Sequence, residues 1–471
     1  MVDTATGAVI WNTEFREPDW SMISTLVGDG DLFYAAGYGG AQDTNGEFLA
    51  WDLILAKINS AGRIMWIKHD HDFSQTFRIA PVAIMIDPAG NATVGGWGFV
   101  PGGGTLAVRS WDPVGNQRWQ FFYEPPPGWG SYNFIWGVRM DDEGSVYGVG
   151  YCDIPKSGEQ KWLVLLPNQR EEPFRRGPSS KLPCDYPAVI KVDSSGHLVW
   201  VDSYRWWGQT GELTVCEYWD GGLFVAGMTH CGGKLYNGRL DKYGASLWYR
   251  WDELYNLFIS IDGSCLDSAG NFYITGEAAE STRVWAFIVS YDPWGKRRIL
   301  KVFFPGTGMA LAADRLGNIF LGGTIIDSAG NEFAVVKMDT LGNLNWLYRK
   351  DGESPGIYGD ACYSLLPDNR GGVFAMGRIF RADTTAIQYL VHLADTTGEV
   401  SEGTSGTPGL AILPAPSGFW VSGYEGQAQI YDPAGRLVLA KEIKGKTLIG
   451  PLTPGVYFVV AGKERAKVAV R

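Results

Sequence analysis

Apolar positions along this chain come in short runs, broken by polar, glycine-bearing punctuation that recurs. Residues 309–350 show the unit. Met309 to Ala313 is apolar, Asp314-Arg315-Leu316-Gly317-Asn318 interrupts, and Ile319 to Thr324 is apolar and small. A looser connection, Ile326 to Asn331, leads to the alternating run Phe333 to Met338. Asp339-Thr340-Leu341-Gly342 breaks that run, and Asn343 to Arg349 follows, carrying Trp346. Short β-branched and aromatic runs punctuated by D-x-x-G predict antiparallel hairpins, with glycine taking positive φ and aspartate capping its own turn. The unit therefore predicts four short strands.

The pattern recurs along almost the whole chain. A first kind of turn, followed by a small residue six positions on, places its glycine at Gly30, Gly90, Gly144, Gly221, Gly270, Gly317 and Gly371. A second kind places its glycine at Gly7, Gly62, Gly115, Gly196, Gly244, Gly295, Gly342 and Gly398. Four residues after the glycine, five interior copies carry Trp66, Trp119, Trp200, Trp248 and Trp346, whereas the copy at Gly295 has Ile299. The two kinds alternate at a period of roughly 45 to 75 residues, which marks repetition of one supersecondary unit. Seven copies of the first turn predict an all-β, seven-bladed β-propeller, in which blades bury each other's faces. Gly7 opens a tryptophan strand (Ala8 to Phe15, with Trp11) that lacks a partner before it, and Gly398 opens a turn that lacks a strand after it. The N-terminal strand is thus expected beside Ile387 to Ala394, closing the ring and removing open edges.

Domain organisation follows from this pattern: a propeller over residues 1–400, a Ser/Thr/Gly-rich linker over 401–416, and a C-terminal module over 417–471. A chain of 471 residues exceeds one ordinary core. The net charge of −11 argues against a nucleic-acid surface, since phosphate binding needs Lys/Arg clusters. No apolar run approaches the roughly 20 residues a membrane helix needs, so no transmembrane segment is expected. No signal peptide is visible at Met1. None of the six cysteines sits in a C-x-x-C pair. Cys152 and Cys184 flank one insertion and form a candidate disulfide in an oxidising compartment. Cys216 and Cys265 lie five residues before a turn glycine in adjacent units and read as small buried hydrophobes.

The C-terminal module reads as a small, Ig-like β-sandwich. Its pattern is Ile430-Tyr431-Asp432, then Gly435-Arg436-Leu437-Val438, then Leu452, Pro454-Gly455-Val456-Tyr457-Phe458, and a basic last residue. This resembles the C-terminal sorting domain of type IX secretion cargo, over roughly the last 60 residues, with several spaced elements in the right order. The resemblance rests on Tyr431, Asp432, Gly435, Arg436, Pro454, Gly455 and Tyr457. It implies a partnership with the secretion machinery and an extracellular or outer-surface location on a bacterium. That family usually loses the domain by cleavage; a copy left in place would be expected to serve as a structural contact. The repeats themselves resemble bacterial secreted propellers with D-x-x-G-N turns, a class that implies fold rather than activity.

Candidate chemistry is sparse. The tight turns all fall on one face, and the long connections fall on the other, where binding residues gather. Those connections hold aromatics the repeat does not require: Trp97, Trp129, Tyr132, Trp136, Trp162, Trp206 and Trp207. They are candidates for stacking on sugar rings or anchoring a protein, against the plainer reading of loops packed onto blades. The insertion from Cys152 to Tyr186 mixes Glu171 and Glu172 with Arg170, Arg175 and Arg176, as a solvated loop or a partner-contact arm. His69-Asp70-His71-Asp72 is the one suggestive metal cluster, without an assignable third ligand. The turn aspartates are explained by turn chemistry rather than calcium, and no nucleophile elbow appears. Asp3-Thr4-Ala5-Thr6-Gly7 with Trp11 resembles the docking repeat of quinoprotein dehydrogenases. That likeness would imply pyrroloquinoline quinone, but no cofactor or calcium ligand of that family can be matched, and its propellers have eight blades. The expected function is therefore a non-enzymatic, exported surface protein without a cofactor. It would act by self-assembly through the C-terminal module into a layer or filament, or by binding a glycan or surface protein through its aromatic loops.

Overall fold

The computed structural model describes residues 8–15, 22–28, 32–42, 48–59, 61–70, 78–100, 103–123, 133–153, 185–204, 211–229, 234–253, 258–280, 283–327, 330–352, 359–382, 386–395, 411–415, 418–422, 426–431, 436–444, 447–450, 452–453, 455–461 and 464–470. Among those residues it is all-β and contains no helix. The chain forms two compact units, essentially Val9–Ala394 and Asp395–Arg471.

In the first unit, β1 (Ala8–Phe15) stands apart from the strands that follow it in sequence. The next four, β2 (Met22–Gly28), β3 (Leu32–Gln42), β4 (Phe48–Asn59) and β5 (Ile64–Asp70), form an antiparallel meander. So do β6 (Arg78–Ile86), β7 (Ala92–Val100), β8 (Gly103–Trp111) and β9 (Gln117–Phe122). A third meander holds β10 (Asn133–Met140), β11 (Val146–Asp153), β12 (Asp185–Val192) and β13 (Leu198–Ser203). A fourth holds β14 (Gly211–Trp219), β15 (Gly222–Thr229), β16 (Lys234–Asp241) and β17 (Ser246–Glu253). Then β18 (Phe258–Leu266), β19 (Phe272–Glu280) and β20 (Arg283–Tyr291) lead into the long β21 (Arg297–Ala313), which serves two sheets. Its first half pairs with β20, and from Gly306 onward it pairs with β22 (Asn318–Ile326). Gly306 has φ of 147°, and a Cβ there would run into the Thr324 carbonyl. After β23 (Asn331–Asp339) and β24 (Leu344–Lys350), the last meander is β25 (Ala361–Pro367), β26 (Val373–Phe380) and β27 (Ala386–Ala394). Here β1 supplies the outermost strand, next to β27.

Each sheet packs on the next through its own apolar cluster. Tyr34, Leu55 and Trp111 belong to one such cluster, Leu106 and Ile190 to the next, and Tyr147 and Phe287 to later ones. The series continues through Ile288 with Val336 and Phe333 with Tyr389. It then returns to its origin, because Phe374 and Leu390 pack with Phe33 and Ile58. Hydrogen bonds repeat the same step. Thr25 Oγ1 accepts from Ile84 N of the following sheet at 3.4 Å, and Ser364 Oγ accepts from Leu26 N at 2.9 Å. The arrangement is propeller-like, with β2, β6, β10, β14, β18, the second half of β21, and β25 innermost.

Turn chemistry explains the punctuation. In the turn after β6, Asp87 Oδ1 accepts from the Ala89 and Asn91 amides (2.9 and 2.8 Å), and its Oδ2 accepts from Asn91 Nδ2 at 2.7 Å. The same side-chain clasp recurs at Asp112–Asn116, Asp267–Asn271, Asp314–Asn318 and Asp339–Asn343, which is why asparagine follows the glycine. The turn at Gly221 departs from the expected type. It is a two-residue loop, with Asp220 at φ 47° and Gly221 at φ 71°, the Asp-Gly hairpin form.

The recurrent tryptophans dock successive sheets. A Cβ at Gly196 would stand 2.9 Å from the Trp119 ring, one at Gly244 3.2 Å from Trp200, and one at Gly295 2.8 Å from Trp248. Each ring lies over the turn glycine of the following sheet. At two joints a lysine lies over the equivalent glycine: Lys68 at Gly115, and Lys301, which follows Ile299 in place of tryptophan and donates to Gly342 O at 2.8 Å.

In the second unit, β28 (Ala411–Ala415), β29 (Gly418–Ser422) and β32 (Thr447–Ile449) form one sheet. The other holds β30 (Gly426–Tyr431), β31 (Leu437–Ile443), β33 (Gly455–Ala461) and β34 (Glu464–Val470), in the order β31-β30-β33-β34. Phe419, Val421 and Ile449 from the first sheet share a core with Ile430, Ile443 and Val459 from the second.

Candidate binding site in the channel

The innermost strands carry a shared backbone irregularity. Each skips one residue in its pairing with the second strand: Ser24, Val82, Trp136, Thr214, Asp262, Met309 and Tyr363. A β-bulge leaves its extra residue outside the ladder and re-aims the side chain. All of these residues line a single cavity of about 390 Å³ enclosed by the innermost strands. Their described neighbours in sequence, such as Pro81, Ala83, Ile135, Gly137, Ile261 and Gly263, are buried. Trp136 is 43% exposed and Asp262 is exposed, whereas Ser24, Val82, Met309 and Tyr363 are half-buried and Thr214 is buried. The bulges thus present a ring of side chains into the channel.

Glycine after the bulge lets neighbouring strands close up. A Cβ at Gly263 would lie 2.9 Å from Met309 O and 3.0 Å from Ala310 Cα, and one at Gly137 3.0 Å from Thr214 O.

Electrostatically the ring is asymmetric. Asp262 Oδ2 accepts from Ser260 Oγ at 2.9 Å and has no cationic partner among the described residues. Its carboxylate is reachable from the channel, but protein surrounds it on the remaining sides. That confinement pushes its pKa up to about 6, with the Ser260 hydroxyl pulling it down and Glu277 pushing it further up. The channel's other ionic group is compensated. Arg139 makes a bidentate pair with Glu217 (Nε–Oε2 2.8 Å, Nη2–Oε1 2.7 Å), and Ser264 Oγ donates to Glu217 Oε1 at 2.9 Å. This network joins β10, β14 and β18.

The structure redistributes the residues expected to carry function. Trp136 lies on β10 at a bulge rather than on a loop, and Trp97 lies within β7, because these strands run further toward the loop face than their apolar cores suggest. Trp129, Tyr132, Trp162, Trp206 and Trp207 lie outside the described residues. Cys152 pairs with Tyr186 across β11 and β12, while Cys184 lies outside the described residues. His69 and Asp70 end β5; His71 and Asp72 lie outside. Among the described residues no group of three metal-ligating side chains exists, and no helix is long and apolar enough to cross a membrane.

Cys216 and Cys265 are buried free thiols, and burial pushes the Cys216 thiol up to about 12 and that of Cys265 well above its usual range. They do not occupy equivalent places, however. Cys216 is two residues past its bulge and Cys265 three, so they enter different inter-sheet clusters. The shorter Asp220-Gly221 turn creates the offset. In the second unit Tyr457 is buried and donates to Thr453 O at 2.8 Å, Tyr431 donates to Gln429 Oε1 at 2.7 Å, Arg436 is exposed, and Gly455 opens β33. Asp432, Gly435 and Pro454 lie outside the described residues.

Two repeated features escaped the sequence reading. One is the bulge ring, which has no residue signature because the geometry recurs while the side chain changes. The other is a cross-strand pair of an aromatic residue and a base. Tyr34 faces Lys57, Tyr147 faces Lys191, Phe224 faces Arg239, Phe320 faces Lys337 and Phe374 faces His392. Lys191 Nζ sits 4.7 Å from the Tyr147 ring centre, and Arg239 is 5.0 Å from that of Phe224. Alignment of the repeats on their turn glycines exposes this column.

No family model matches the chain, and no curated protein matches it. Among solved structures it is similar to hydrazine synthase of Kuenenia stuttgartiensis (TM-score 0.48, 9% identity, 79% of this chain and 96% of that one). It is also similar to PorZ, a surface component of the type-IX secretion system of Porphyromonas gingivalis (TM-score 0.43, 12% identity, 95% of this chain and 58% of that one). A third is an ulvan lyase of a new polysaccharide-lyase family (TM-score 0.46, 12% identity, 82% and 94%). Likenesses of this degree do not carry a function across.

Proposed function

We propose that this chain is an exported bacterial surface protein, a closed seven-bladed β-propeller followed by an Ig-like sorting-domain sandwich, which acts by binding rather than catalysis. The observation that carries this reading is the ring of bulged residues. Every innermost strand leaves one residue out of its pairing and turns that side chain into the channel. Trp136 offers an aromatic face, Ser24, Thr214 and Tyr363 offer hydroxyls, and Asp262 offers a carboxylate. Pockets of this size with a few convergent polar groups suit small polar ligands or the end group of a larger one. Trp136, one of the aromatics expected to bind, supplies an aromatic contact in the channel on this reading. A calorimetric screen of glycans and small polar molecules tests the reading: a ligand that binds the wild type should be lost in Trp136→Ala, with folding unchanged. Hits indifferent to Trp136→Ala would move the site elsewhere.

A second reading, self-assembly through the C-terminal module, has its own observation. Strand β31 is an edge of its sheet and exposes Leu437 (53%) and Val438 (44%), the kind of edge that invites pairing. Electron microscopy of the full chain beside a version ending at residue 400 separates the two. Ordered polymers from the full chain alone would establish assembly, and dispersed particles from both would leave binding.

A further inference from the structure

We infer that the channel takes an organic ammonium group, held by Asp262 and flanked by aromatic side chains. The inference rests on the binding reading and names the ligand's chemistry. On the ring Asp262 stands between Thr214 and Met309, with Trp136 and Tyr363 next on either side. Among the described residues the charged groups around Asp262 are few, and Arg378 of β26 lies 5.8 Å from the centre of the Tyr363 ring. Glu277 of β19 lies opposite Ser260, whose hydroxyl holds one carboxylate oxygen. Arg139 of β10 is committed to Glu217 of β14 by two short hydrogen bonds. The β21 wall contributes Met309, Ala310 and Leu311, and the cysteines of β14 and β18 are neutral thiols. Among its described lining residues the cavity therefore carries one uncompensated carboxylate in confined surroundings.

Such a charge is matched by a cation, and the rest of the lining selects the kind. A metal ion needs several oxygen or nitrogen ligands at short range, and the described lining supplies one carboxylate. A phosphate, carboxylate or sulfate ester would be repelled by it. An alkylammonium fits, because it pairs with one carboxylate at longer range while its methyl or methylene groups contact aromatic rings and thioether. A bound cation would favour the ionised form and bring the raised Asp262 pKa down.

The test is calorimetric titration of the full chain with choline and with its neutral carbon isostere, 3,3-dimethyl-1-butanol. The expected result is that choline binds about tenfold or more tightly than the alcohol, the scale of one cation–carboxylate and cation–π pairing. Asp262→Asn, which keeps shape and changes charge, should bring choline down to the alcohol's level and leave the alcohol unaffected. Choline binding to the wild type should also weaken as pH falls through about 6. Equal affinity for both compounds would overturn the ammonium assignment while leaving the channel as a binding site. Failure of both to bind would also overturn it; the Trp136-dependent screen then decides the broader reading. Choline binding unchanged by Asp262→Asn would place the cation elsewhere and refute the proposal.

Discussion

Two regions of the first unit are built by repetition, and they repeat different things. Most of the D-x-x-G turns repeat residues: aspartate, glycine and often asparagine stand in the same places with the same hydrogen bonds, Asn59 at the Gly62 turn and the two-residue Asp220-Gly221 loop being departures. The bulges of the innermost strands repeat geometry alone: one skipped residue per strand, filled by serine, valine, tryptophan, threonine, aspartate, methionine or tyrosine. A turn must satisfy its own backbone, so its chemistry is dictated locally. A bulged side chain facing a cavity answers to no local requirement, so its identity is open to a ligand. Regularity of residue marks framework, and regularity of backbone with variety of residue marks the place where function can be written.

The comparison can be broken in order of expected effect. The largest test lies in the framework. Trp346 is 3% exposed within an inter-sheet cluster, so Trp346→Ala should cost about 3–5 kcal/mol in chemical denaturation. A loss under about 1 kcal/mol would mean that the sheets do not depend on the tryptophan column. Next comes a turn carboxylate. Asp368 accepts from the Arg370 and Gly372 amides at 2.7 and 2.8 Å and is 2.8 Å from His392 Nε2. Burial alone would raise its pKa, but the His392 and amide contacts outweigh it and hold the carboxyl below its usual range. Its stabilisation is present above the unfolded-state pKa and is lost as pH falls through the depressed folded value. Asp368→Ala should therefore cost about 1.5–3 kcal/mol at pH 7 and progressively less in acid, as read from denaturation midpoints across pH.

Asp262 should behave with the opposite sign. Its folded pKa is raised to about 6, so the folded state favours the protonated form, and this contribution is full below about pH 4 and is lost as pH rises through 6. Asp262→Asn should stabilise the protein at pH 7.5 by about 1 kcal/mol, allowing for screening by channel water. It should have no effect at pH 4. Destabilisation at pH 7.5 would show that Asp262 serves the framework instead of a ligand.

How much of this was legible in the sequence follows from the same distinction. The turn glycines and Trp66, Trp119, Trp200, Trp248 and Trp346 announce themselves, because turn backbone and inter-sheet docking each demand particular residues. The pairing of β1 with β27 was legible from the unmatched half-units at Gly7 and Gly398. Trp136 was visible as an aromatic surplus to the repeat, but its place was misjudged, since strand ends carry no punctuation where hairpins on the long-loop face run on. Asp262 was not visible at all. Neither of its flanks, Ile261 and Gly263, distinguishes a bulge from ordinary strand, and only the pairing register reveals that the aspartate is the skipped residue.

The most direct test of the account is a crystal structure determined with choline at saturating concentration. The account predicts the trimethylammonium group in the channel, within about 4–6 Å of Asp262 and of an aromatic ring of the bulge ring. Choline on the outer face, or a channel left empty at saturation, would contradict it.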